Sequence, residues 1–144
     1  MASLRWILGS LIAWFGVWTL WLSLTWKFHP TVGLALIVTT SLIAAYANVV
    51  SLDLLVLRPV LLLNGKRLHY VASLAYVMAF LTALALFVIR IAYIMIWGRD
   101  PDPNGLYKHF AIDLFGMVVH LVLASAVMYF AGNSDRSNAK GTKN

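Results

Sequence analysis

Arg90 and Asp113 are the charged residues that stand well inside apolar runs of this chain. A guanidinium or a carboxylate is costly in hydrocarbon, so a residue of this kind is a functional candidate whose partner must be found. Arg90 lies seven residues before Trp97, which at the helical rise is about 10 Å from that end. Asp113 lies six residues after Tyr107, about 9 Å from the same end. A turn dense in breakers, Gly98 to Gly105, joins the two runs. Matched depth on neighbouring helices predicts an Arg90–Asp113 ion pair. Its plain role is a lock between helices. Its functional role would be a gate, a proton relay or an anion site.

His109, Asp113, Gly116 and His120 follow at i, i+4, i+7 and i+11, which places them on one helical face. With His29 from the first turn, His109 and Asp113 have the ligand types of a metal site, although nothing local brings His29 to them. The plainer expectation is interfacial histidines beside a paired aspartate. His120 is the most deeply placed histidine. A bis-histidine haem within one chain would need a second histidine at equal depth. His29 and His109 lie near one surface and His69 near the other, so only a haem or metal half-site shared with a partner subunit survives. Otherwise His120 is a neutral side chain bonded to Tyr46 or Thr40. Near the other surface Asn48, Asp53, Arg58, Lys66, Arg67 and His69 form a second polar group. Arg58, Lys66 and Arg67 are the candidates there for contact with lipid headgroups.

The elements that position these residues are four apolar runs. Of the 144 residues, 62% are hydrophobic and 11% charged. A soluble domain is closer to a quarter charged, so the class is an all-α integral membrane protein with lipid as its solvent. The first helix covers about 4–26. Its run is long for the core of a cleaved signal and ends in no small-x-small site, so it reads as a retained transmembrane helix. Pro30 then opens the second helix, 31–51, with an interfacial continuation to 63. One straight helix over that whole span would be about 48 Å long, against a core of about 30 Å. The third helix covers 69–97, with Ala72, Ala75, Ala79, Ala83, Leu86, Arg90 and Tyr93 on a stripe read as facing the bundle. The fourth covers 107–130. These make one transmembrane domain, 1–131, an antiparallel four-helix bundle. Residues 132–144 form a polar, basic tail with no apolar pattern, expected to be flexible.

On the first helix Gly9, Ala13 and Gly16 share a small-residue face, expected to pack within the chain. Trp14, Trp18 and Trp21 lie nearly opposite. They are the candidate partner-binding face. The cations set topology. Arg5, Arg58, Lys66, Arg67, Arg136, Lys140 and Lys143 fall on one side, seven against three for Lys27, Arg99 and Lys108. Both termini are therefore expected inside, an N-in/C-in arrangement.

Function is bounded more by exclusion than by motif. The net charge of +6 comes from cations at helix ends, with no basic aromatic surface left for nucleic acid. Cysteine is absent, which excludes disulfides, thiolate metal sites and thioether-bound haem. No phosphate-binding loop, zinc-protease helix or nucleophile elbow is present. The expectation is a non-catalytic subunit that binds other membrane protein subunits of a larger complex, with no cofactor of its own. The alternatives are a small oligomeric transporter or channel using Arg90, Asp113 and His120, or a redox or metal subunit sharing a histidine ligand. A membrane enzyme comes last.

Overall fold

A computed structural model describes residues 4–100, 102 and 105–141. Among them the chain is helical except in short turns, with no strand. The elements are α1 (Leu4–Thr25), α2 (Val32–Leu52), α3 (Arg67–Trp97) and α4 (Leu106–Gly141). All four helices are long and apolar enough to cross a membrane.

Local chemistry explains the boundaries. After a tight turn at Trp26–Phe28, His29 is extended (φ −107°, ψ 143°), as the residue before a proline prefers. Thr31 caps α2, its hydroxyl accepting from the Leu34 amide at 3.2 Å. At its far end α2 runs on into a π-helical stretch, Asp53–Leu62. Pro59 has no N–H, and its ring would collide with the carbonyl of an ordinary helical turn. The widened turn accommodates it: Leu63 N–H reaches Arg58 O, five residues back, at 2.9 Å. Gly65 and Gly98, both at φ 75°, end the two long helical stretches in the left-handed region open to glycine.

α2 is the hub. It packs against α1, α3 and α4, while among the described residues α1 approaches no other long helix along its backbone. Cross-contacts give the directions. His29 meets Tyr93, and Asp53 meets Tyr70, so α2 and α3 run antiparallel. Tyr46 meets His120, and Arg58 meets Ser125, so α4 runs parallel to α2. The central cluster comprises Ile43, Ala45, Tyr46 and Val49 of α2, Met78 and Ala85 of α3, and Met117 of α4. Large apolar side chains point outward all around it, among them Phe15, Phe87 and Phe115. In water this would be an aggregation surface; against acyl chains it costs nothing.

Two expectations need correction. The inward face of α3 carries Met78, Thr82, Ala85 and Tyr93, whereas Ala72, Ala75 and Ala83 face out. A helix apolar on every side offers no hydrophobic signal for its rotation, so packing against its neighbours sets which stripe turns inward. The faces of α1 are likewise reversed. Trp14, Val17 and Trp18 pack on the central cluster, and a side chain added at Gly9 or Gly16 would meet nothing within 4 Å. α4 itself continues to Gly141.

Candidate functional site

Polar side chains collect at three levels of the bundle. The first is the end formed by the α1–α2 and α3–α4 turns. A cavity of about 310 Å³ opens there, lined by Phe28, His29, Arg90, Tyr93, His109 and Asp113, with aliphatic side chains of α2 and α3 behind them. The Arg90–Asp113 pair does not form. Arg90 is paired with Asp100 of the following turn. The turn folds back over the end of α3, so its aspartate reaches the guanidinium before the carboxylate of α4 can. Asp100 also accepts the Asp102 backbone amide at 3.2 Å, which holds the turn. His109 Nε2 lies 3.4 Å from Asp102. Asp113 is half-buried and has no ion-pair or hydrogen-bond partner among the described residues.

His29 reaches this cavity, as the metal reading required, but its Nδ1 lies 2.6 Å from Tyr93 Oη. Burial holds the imidazole pKa below its ordinary 6.5, so the ring is neutral and shares one hydrogen bond with the Tyr93 hydroxyl. Among the described residues no three His or Asp side chains converge on a point that a metal ion could occupy. His29, His109 and Asp113 share a cavity without forming a chelate.

The second level is mid-bundle. His120 Nδ1 lies 2.7 Å from the carbonyl oxygen of Gly116 and donates to it. Tyr46 lies against the imidazole (centroids 4.7 Å apart), with Trp14 at 6.3 Å and Trp21 at 6.4 Å. Gly116 makes this possible, because a Cβ there would sit 2.7 Å from Tyr46 Oη. Tyr46 is therefore a packing partner of His120, not its hydrogen-bond partner. Thr40 is engaged elsewhere, accepting from Trp18 Nε1 at 3.1 Å. With Nδ1 as the donor, Nε2 is a bare acceptor. It has no protein partner among the described residues and is not sealed off. His120 lines an open cleft between α1 and α4 of about 630 Å³, walled by Gly9, Ala13, Trp14, Ala124 and Val127.

The third level is a network that the sequence reading broke into headgroup contacts. Asp53 is fully buried. Its Oδ2 accepts from Arg58 Nε at 2.6 Å, and its Oδ1 from the Tyr70 hydroxyl at 2.7 Å. Arg58 also donates to Ser125 Oγ, whose own hydroxyl donates to Leu121 O at 2.7 Å. Arg58 is thus turned inward, whereas Lys66 and Arg67 remain exposed at the end of the bundle. A signal for Asp53 was present: Tyr46, Val49, Val50 and Asp53 follow at i, i+3, i+4 and i+7, one continuous buried stripe. The π-helical turns bring Arg58 back over its own aspartate, which ordinary helical spacing does not foretell.

No family model matches the chain, and no curated protein or solved structure matches it.

Proposed function

We propose that this protein is a non-catalytic, multi-pass membrane subunit, and that a transmembrane helix of a partner protein docks in the cleft between α1 and α4. The cleft itself carries the reading. Backbone separation of α1 from α4 leaves about 630 Å³, in which small residues (Gly9, Ser10, Ala13, Ala124) alternate with larger ones such as Trp14, Trp21 and Leu123, with the His120 imidazole in its lining. Helices associate in lipid through close backbone approach and hydrogen bonds, since burial of apolar surface drives nothing there. Gly9 and Ala13 on one wall and Ala124 on the other allow close approach. His120 Nε2 offers the hydrogen bond, worth about 0.6 kcal/mol in such settings and up to about 1.7. The occupant is therefore a helix presenting a donor such as Ser, Thr or Trp at the level of His120. The excess of cations at the N-terminal, α2–α3 and C-terminal ends supports an N-in/C-in orientation.

The test places a photo-crosslinking residue at Ala13 or Ala124, with Phe115 on the outer surface as control. In native membranes the cleft positions should give one discrete protein adduct and the control none. Ala13→Leu and Ala124→Leu should each remove the adduct formed from the opposite wall while leaving the unfolding temperature near wild type. Lipid adducts alone from both cleft positions would overturn the reading.

A further inference from the structure

We propose that the cavity at the α1–α2 and α3–α4 turns is a binding site for a small organic ammonium group, with Asp113 as its counter-ion. This site lies at the opposite end from the open part of the cleft and does not depend on partner docking.

Charge complementarity comes first. The cavity is lined by one guanidinium and three carboxylates, so its Arg and Asp side chains together carry two net negative charges. The carboxylates are not equivalent. Asp100 is paired with Arg90 and Asp102 faces His109. Asp113 is left open, six residues inside the helical span that begins at Tyr107. An ionised carboxylate at that depth needs a cation, and among the described residues none of the protein's own forms an ion pair with it. His109, one turn before it, is turned to Asp102, and His29 is occupied by Tyr93.

Shape and wall chemistry then select the cation. The volume of about 310 Å³ is at the lower end for small-molecule sites. A bare metal ion would need several converging oxygen or nitrogen donors, which are not present among the described residues. An alkylammonium needs one carboxylate for its head and apolar wall for its chain. Val38, Leu42, Leu86 and Ile89 provide the wall. Tyr93 and Phe28 add aromatic rings, which attract cations through their faces. The same head chemistry comes from a free amine or from the headgroup of an aminophospholipid, because the cavity opens at the end of the apolar spans.

The experiment uses the full-length protein in nanodiscs of phosphatidylglycerol, titrated with hexylammonium by calorimetry, with protein-free discs subtracted. Saturable one-to-one binding is expected. Asp113→Asn should weaken it about tenfold or more, as loss of one ion pair requires, and Asp113→Glu should stay within about threefold of wild type. Arg90→Gln, which frees Asp100, should tighten binding. This keeps the proposal testable if Asp113→Asn does not fold. Repeating the titration in phosphatidylethanolamine discs separates the sources. Weaker hexylammonium binding there identifies the lipid headgroup as the ligand; unchanged binding identifies a free amine. Absence of saturable binding, or equal binding by wild type and Asp113→Asn, would overturn the proposal.

Discussion

His29 shows how a single side chain takes its state from its surroundings. Its Nδ1 is hydrogen-bonded with Tyr93 Oη and burial holds its pKa below 6.5, so the folded protein keeps it neutral. The sign of the pH dependence follows. Below about pH 6.5 the unfolded chain takes up a proton that the folded chain refuses, so the stability contributed by neutral His29 is present above that pH and lost as pH falls through the lowered folded value. The unfolding temperature in detergent should therefore drop between pH 7 and pH 5, and His29→Gln should flatten that slope. An unchanged slope in the variant would show that other groups carry it. Gly116 and His120 make the same point through shape: a glycine admits the Tyr46 hydroxyl, and the ring of Tyr46 then packs against His120.

At the scale of elements, the Asp53 network decides how the end of α2 is held. One buried carboxylate joins the π-helical stretch to α3 through Tyr70 and, by way of Arg58, to α4 through Ser125. Removing one member of a buried pair strands the other charge. Asp53→Ala should therefore destabilise the bundle by about 3–5 kcal/mol. Replacing both, Asp53→Leu with Arg58→Met, should recover most of that loss, since a well-packed apolar pair is often no worse than the ion pair. Equilibrium unfolding of the single and double variants measures the difference. Equal losses would mean that the network contributes through its geometry and not through the stranded charge. α1 is the contrasting case. It is held along one side, by Trp18 bonded to Thr40 and by Trp14 beside His120. That one-sided attachment leaves the cleft open.

For the whole molecule, the distribution of cations makes a topological prediction that the cysteine-free chain is suited to test. In intact cells a membrane-impermeant maleimide should label Lys27→Cys and should label Lys66→Cys only after permeabilisation. The reverse pattern would put both termini outside. The two proposed sites occupy different parts of the bundle. The cleft opens along the side between α1 and α4, and the ammonium cavity lies between the turns at one end. Loss of one function by substitution should leave the other intact.

The four helices and their turns were legible in the amino-acid sequence because they depend on local properties. Apolar runs of spanning length, Pro30, Gly65 and Gly98 act within a few residues of where they stand. The level of each polar residue along its helix was legible for the same reason, and His29, Arg90, His109 and Asp113 do share one cavity. Partner choice was not legible. It depends on helix rotation, and helices apolar on every side carry no hydrophobic pattern to set it. Hence Trp14 and Trp18 of α1 face inward, and the alanines Ala72, Ala75 and Ala83 of α3 face out. Distance along the chain misled as well: Arg90 takes Asp100 from the adjoining turn, and Asp53 takes Arg58 across a widened helical turn. The sequence by itself determined which residues could meet at each level. Tertiary packing decided which of them did, because pairing depends on rotation, side-chain volume and the folding back of turns.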